Sequence, residues 1–176
     1  WTATSDVLAP DYYAYSFIVD GTTINDAANR RLQTSFGSAQ SMFVIPGAEP
    51  WLPSAGVPQG AVTRHPFHSA IANDDREFFV YTPPGYEDDA AGPIAGKRYP
   101  VLYLLHGSND TAAGWTDVGQ ANFILDNLIA DKQAVPMIVV MPWGHAAPFR
   151  DPGNLALFSR YLLEDVVPTV EKSYRT

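Results

Sequence analysis

The sequence predicts an α/β domain behind a short β-rich unit, and three observations carry that prediction. Two segments, Tyr99 to Leu105 and Pro136 to Met141, have strand length and are almost wholly apolar, as strands covered on two faces by helices are, which favours a parallel sheet. Each runs into a stretch with helical spacing, about Val118 to Lys132 and about Asn154 to Tyr174, so the order is β, α, β, α. Ahead of them, near residues 47 to 59, Pro50, Pro53, Pro58, Gly56 and Gly60 mark a boundary, with β-type alternation on its N-terminal side.

Taking the elements in order, Tyr12 to Asp20 places Tyr13, Tyr15, Phe17 and Val19 on one face of a half-buried strand, with Asp20-Gly21 as the hairpin turn. A second strand, Ser41 to Ile45, stops at Pro46-Gly47. So few strands cannot supply both sheets of a sandwich, and this first piece is expected to be a sandwich remnant without its leading strands. Beyond the boundary, Ala61 to Ser69 and Arg76 to Tyr81 read as strands that open the sheet, the second leading into the turn Pro83-Pro84-Gly85-Tyr86. A loop rich in Asp, Ala and Gly follows at 88 to 96. In the last helix Leu155, Phe158, Leu162, Val166 and Val170 form an apolar stripe, and Pro168 is placed to kink or divide it. That stripe, and the sheet edge beside it, are expected to lack a covering neighbour, since that helix should deliver the chain to a further strand.

Composition narrows the classes. A chain of 176 residues that is 46% hydrophobic can bury a real core. Its formal net charge of −8 argues against nucleic acid or an anionic membrane as the main partner. With no cysteine there is no disulfide, thiolate nucleophile or thiolate metal site. No apolar run reaches the roughly 18 to 20 residues that span a bilayer. The chain opens on Trp1 without a basic and apolar leader, so any signal peptide is expected to be removed or to lie upstream.

In an open α/β sheet, ligands lie beyond the carboxyl ends of the strands, which singles out the loops His106 to Trp115 and Trp143 to Pro152 as walls of one crevice. Backbone N–H groups at Gly107 and Ser108 are candidates to hold a developing oxyanion, although an ordinary strand-to-helix turn would also use a glycine. The Ser108 hydroxyl is not placed as a nucleophile, being flanked by no elbow and paired with no base. Trp115, Trp143 and His145 are candidates to line the pocket or stack on a substrate ring, with core packing as the competing role for the tryptophans. His65 and His68, three apart on a strand, face opposite ways and are structural, so no metal is expected. The acidic pairs Asp74-Asp75 and Asp88-Asp89 read as solvated turn charge, and no weight falls on the triplet Asn109-Asp110-Thr111, which matches a glycosylation sequon.

Five segments in order resemble the putative-esterase family of α/β-hydrolases: Glu77 to Tyr86, Tyr99 to Gly107, Phe123 to Ala130, Met137 to Pro142 and Asp165 to Glu171. Feruloyl and related carbohydrate esterases look most similar. Tyr12 to Gly21, Asn25 to Asn29 and Phe43 to Gly47 resemble the end of the early-set, immunoglobulin-like domain that precedes such enzymes. The resemblance implies a partial early-set domain at 1–47, a linker at 48–59 and the N-terminal part of a hydrolase domain at 60–176. It implies a secreted or periplasmic serine esterase, without cofactor, acting on acylated polysaccharide such as feruloyl or acetyl xylan. Of its machinery only the oxyanion donors, Gly107 and Ser108, map here, and relatives often carry further glycines where this chain has Ser108-Asn109. No Gly-x-Ser-x-Gly occurs among the 176 residues, so the Ser, acid and His are expected beyond Thr176 and the chain alone is expected to be inactive. The alternatives are an acyltransferase or siderophore esterase of the same fold, and a module that binds glycan without chemistry through Tyr12, Tyr13, Trp51 or Trp143.

Overall fold

The computed structural model describes residues 4–35, 38–47, 51–88, 96–148 and 150–176. In the N-terminal unit, strand β1 (Asp11–Tyr15) leads to β2 (Phe17–Val19), β3 (Thr22–Ile24), β4 (Leu32–Ser35) and β5 (Ser38–Ile45). β5 pairs antiparallel with β1 on one side and β4 on the other, while β2 and β3 form a separate ribbon. Asp20 and Gly21 both take positive φ, 49° and 79°, as the hairpin turn requires.

The long strand expected over Tyr12 to Asp20 is therefore two strands that part at Ser16. Tyr13 and Tyr15 pack on Phe43, with ring centroids 5.5 and 5.7 Å away. Phe17 and Val19, expected on the same half-buried face, are exposed because their ribbon pairs only with itself. β4 escaped the sequence reading, since Leu-Gln-Thr-Ser offers a single apolar residue. Of the expected linker, residues 48–50 lie outside the described residues. The rest is tied to the next unit by the Asn127 side-chain amide, which donates to the Leu52 carbonyl at 2.9 Å, and just past it the Gly60 N–H donates to Asp126 at 2.9 Å.

The larger sheet has the order β6-β7-β9-β8. β6 (Ala61–Ser69) and β7 (Asp74–Thr82) form a nine-pair antiparallel ladder, β9 (Ile138–Pro142) runs antiparallel to β7, and β8 (Val101–Tyr103) runs parallel to β9. The parallel arrangement expected of the two apolar strands holds for β8 and β9, within a mixed sheet. Covering on two faces holds only for β9, which is buried throughout. β8 is an edge strand, shorter than expected, and Leu102 on it stays 44% exposed. The loop expected at 88 to 96, with Asp89 of the second acidic pair, falls largely on residues outside the described set.

Alternation divides the core between the two faces of this sheet. Phe78, Val80, Ile138 and Val140 meet Phe158, Tyr161, Val166 and Val170 of the last helical segment. On the other face Tyr81, Val139 and Met141 meet Leu125 and Trp115. The helix expected from about Val118 to Lys132 is α2 (Ala121–Ala130), which starts later and is preceded by a single separate turn, α1 (Gly114–Asp117), with Gln120 in the left-handed conformation between them. The Gln120 side-chain amide stabilises the break by donating to the Thr116 and Asp117 carbonyls at 2.7 and 3.0 Å.

The last segment comprises α3 (Asn154–Arg160), a π-helical stretch (Tyr161–Val166) and α4 (Val167–Ser173). The π stretch resets the apolar face, so that Phe158, Tyr161, Val166 and Val170 are buried while Leu155, expected on the stripe, is exposed. Pro168 sits in the first turn of α4, immediately after the wide turn, where its missing N–H costs least. The stripe expected to lack a neighbour lies against the sheet. Along the β8 side, the Tyr99 N–H donates to the Arg175 carbonyl at 2.9 Å.

Candidate functional site

β8 and β9 run parallel, so the loops leaving them open at the same end of the sheet. The two loops expected to face one crevice are joined by His106. Its Nε2 accepts the Gly144 N–H at 2.8 Å, which places the ring proton on Nδ1, 2.8 Å from the Gly107 carbonyl to which it donates. Gly144 suits this contact, because a Cβ there would sit a tight 3.2 Å from the imidazole, which would have to give by a few tenths of an ångström. Asn154, at the start of α3, holds the same loop from the other side. Its amide donates to the Gly144 carbonyl at 3.2 Å and its oxygen accepts the Ala147 N–H at 3.0 Å. His106 as a clamp and Asn154 as a brace are roles the sequence reading missed; the His-Gly pair was the one signal for the first.

The Gly107 carbonyl also accepts the Asp110 N–H at 3.1 Å, which closes a turn with Ser108 at its second position. With that carbonyl held twice, the peptide linking Gly107 to Ser108 is fixed. Among the described residues, the amides of Gly107 and Ser108 donate to no acceptor and both residues are exposed. A Cβ built on Gly107 would meet nothing within 4 Å, so the backbone there is open to close approach. Two free N–H groups on a clamped loop are suited to stabilise an oxyanion.

Trp143 and His145 line this end of the sheet beside His106, with centroids 6.3 Å (His106–Trp143), 5.3 Å (His106–His145) and 6.4 Å (Trp143–His145) apart. Burial, and next to it the neighbouring His106, push the His145 pKa below the ordinary histidine value, so its ring is neutral near pH 7. Trp143 stands between a hollow of about 250 Å³ reaching Arg64, Pro66 and Arg76 and another of about 380 Å³ reaching Ala72 and Ala147. Trp115 lies elsewhere in the balance: its indole N–H donates to the Leu105 carbonyl at 3.0 Å and its ring packs on the Tyr81, Val139 and Met141 cluster.

The remaining polar candidates form local pairs. His65 lies 2.5 Å from the Tyr174 hydroxyl and stacks on Phe78 at 4.9 Å, and burial lowers its pKa. His68 pairs with Asp75 at 2.9 Å, and Asp74 with Arg76 at 2.6 Å. The described residues bring no three His, Cys, Asp or Glu side chains together as a metal site. Asp110 accepts the Thr111 N–H at 2.8 Å and covers Gly114, where a Cβ would come within 2.3 Å of its carboxylate.

One buried acid lies at the opposite end of the sheet. Asp126, on α2, accepts the Tyr81 hydroxyl at 2.8 Å as well as the Gly60 N–H, while its second oxygen is buried without a partner. Burial raises its pKa above the ordinary carboxyl value and raises that of Tyr81 in turn. Its place far from the crevice makes it a clasp between β7, the linker and α2. A lone Asp within the apolar run Phe123 to Ala130 was the signal for it.

Comparison with known proteins follows this geometry. The model of the family described as "Putative esterase" matches residues 69–176. An endo-1,4-beta-xylanase/feruloyl esterase of Xylanibacter ruminicola is 31% identical over the whole of this chain, which spans a quarter of that protein. A solved ferulic acid esterase is 30% identical, with a TM-score of 0.57 over 67% of this chain and 46% of its own. At 24% identity, the ferulic acid esterase of Anaeromyces mucronatus shares the fold, with a TM-score of 0.61 over 74% of this chain and 50% of its own. The chain thus spans half or less of these relatives.

Proposed function

The chain belongs to the putative-esterase family, and from that premise we propose that it forms the oxyanion-bearing part of a serine-type carboxylic-ester hydrolase acting on acylated polysaccharide such as feruloyl or acetyl xylan. The observation that carries the reading is the clamped His106-Gly107-Ser108 turn, with two unengaged amides, at the carboxyl end of β8 within the matched region. A serine attacking an ester carbonyl develops negative charge on the carbonyl oxygen, and each preorganised N–H aimed at it contributes about 3 to 4 kcal/mol to the rate. Trp143 and His145 flank the place where the acyl group would lie. The two feruloyl esterase relatives near 30% identity favour this substrate class over a siderophore ester or an alcohol acceptor in acyl transfer.

These 176 residues hold no Gly-x-Ser-x-Gly elbow, so the chain by itself supplies no activated serine. In the same reading, residues 1–47 are part of an early-set domain, 48–59 a linker and 60–176 the first part of the hydrolase domain. The protein acts outside the cytoplasm on a cell-wall ester, with neither nucleic acid nor membrane as partner. Among the described residues no helix is long and apolar enough to cross a membrane.

Release of ferulate from methyl ferulate tests the proposal, measured on this chain and on the product of the same gene read past the Thr176 codon. The expected result is background rate for the first and esterase turnover for the second, with an elbow serine, an acid and a histidine in its added sequence. No turnover by a folded longer product, or an added sequence without the elbow, would overturn it.

A further inference from the structure

The clamp at His106 makes a demand on its own protonation state. Its Nε2 accepts the Gly144 N–H at 2.8 Å, so that nitrogen must keep its lone pair, while its Nδ1 donates to the Gly107 carbonyl at 2.8 Å. Only the neutral imidazole with its proton on Nδ1 meets both demands. A second proton would set an N–H against an N–H at Nε2 and end that bond, and the Nδ1 bond to Gly107 would persist. Histidine is the side chain that changes charge between about pH 5 and pH 8, and this ring is half-buried, within reach of solvent protons.

The two ends of the clamp are anchored separately. On the β8 side the Gly107 carbonyl also accepts the Asp110 N–H at 3.1 Å, so the turn keeps both of its bonds when His106 is charged. On the β9 side the Asn154 amide donates to the Gly144 carbonyl at 3.2 Å and its oxygen accepts the Ala147 N–H at 3.0 Å, which ties that loop to α3. Each loop is held by its own surroundings, and the His106–Gly144 bond joins one to the other across 38 positions.

The groups around the ring are few. From the β9 loop, His145 stands 5.3 Å away and the uncharged Trp143 at 6.3 Å. Burial and the neighbouring His106 lower the His145 pKa, so a charge on His106 leaves His145 neutral. On the β8 loop, Asp110 turns its carboxylate to the Thr111 N–H and to Gly114. From β7, Arg76 shares a hollow with Trp143 and His145 and is paired with Asp74. α3 presents Asn154, which does not titrate.

We propose that His106 is a proton-operated latch between the two loops of the crevice: the neutral ring draws the Trp143–His145 wall onto the oxyanion turn, and the charged ring lets the wall part from it. The turn, with its Gly107 and Ser108 amides, keeps its shape in both states. What changes is the distance from the turn to the aromatic wall, and with it the fit of an acyl group. That consequence for an ester rests on the esterase reading, whereas the latch itself needs no nucleophile.

The chain holds four histidines, His65, His68, His106 and His145, none of them the base of a serine elbow, so the latch is read on it without a catalytic histidine titrating alongside. NMR of the labelled chain between pH 8 and pH 5.5 follows the His106 ring and the Gly144 amide together. As the ring titrates, the Gly144 amide shift should move with the same midpoint. Its protection against hydrogen exchange, corrected for the intrinsic effect of pH, should fall about tenfold, while the Asp110 and Leu104 amides, bonded to the Gly107 and Val140 carbonyls, keep theirs. His106→Gln, which carries an acceptor and does not titrate, should remove the pH dependence of the Gly144 and Ala147 signals. A ring that titrates with no change at Gly144, or that stays neutral down to pH 5.5, would overturn the latch in the parent chain itself. Loss of protection at Asp110 and Leu104 in step with Gly144 would overturn it equally, as general loosening. The ferulate assay reports on the esterase reading separately, and neither result decides the other.

Discussion

The two sheets of this chain differ in how they are covered, and the difference separates what holds the fold from what is left exposed. The four-stranded sheet has helices on both faces, and β9 at its centre shows no exposed residue. The small sheet has no helix packed flat on either face: Trp51 and the α1–α2 corner stand off one face far enough to leave a groove, the other carries the loop of Asp26 and Asn29, bonded to Ser41 and Tyr15, and the β2–β3 ribbon exposes every side chain. A sheet covered by helices on both faces supplies stability; a sheet covered by loops and a loose corner supplies surface.

Truncations set the two sheets furthest apart. Tyr161 is fully buried, stacked 6.0 Å from Phe67, so Tyr161→Ala should cost about 3 to 5 kcal/mol in chemical denaturation. A loss under about 1 kcal/mol would mean that the helical layer does not carry the fold.

The Asp126 clasp gives an intermediate effect with a definite sign. Burial raises its folded-state pKa above the unfolded value of 3.8, so its contribution is fully present below that value and is lost as pH rises through the folded-state pKa. Asp126→Asn does not titrate, and its oxygen can still accept from Tyr81 and Gly60. The melting temperature of the variant relative to the parent should therefore rise between pH 4 and pH 7. An equal gap at both pH values would show that the carboxyl titrates normally.

The smallest effect belongs to the ribbon. Ile18 is 75% exposed, and Ile18→Ser should change stability by no more than about 0.5 kcal/mol. A larger loss would reveal a layer over the ribbon and erase the contrast between the sheets.

How much of this was legible in the sequence follows from the range of the interactions involved. β7 and β9 were readable because their apolar pattern is set by burial along the strand itself. That β8 would be an edge was not, because Val101-Leu102-Tyr103 is as apolar as the centre of β9 and edge position depends on which strands pair. The stripe on the last helix was right at Phe158, Val166 and Val170 and misplaced at Leu155, since a five-residue step from Tyr161 to Val166 has no periodic signature. In the crevice, His106 to Ser108 and Trp143 to His145 could be named from the ends of two strands. The clamp between His106 and Gly144 could not, because it joins residues 38 positions apart. The groove lay further from view, as Tyr12, Trp51 and Ile124 meet only through tertiary packing.

The central claim, that the turn after β8 carries an oxyanion donor, is tested most directly by removing one N–H. Ser108 occupies the second position of the turn closed by Asp110, where proline fits the backbone, so Ser108→Pro deletes the amide hydrogen while keeping the turn. In a gene product that carries the elbow serine, acid and histidine, with methyl ferulate as substrate, kcat should fall about 100- to 1,000-fold while the melting temperature stays within a few degrees of the parent. An unchanged kcat in a folded Ser108→Pro protein would contradict the Ser108 amide as that donor.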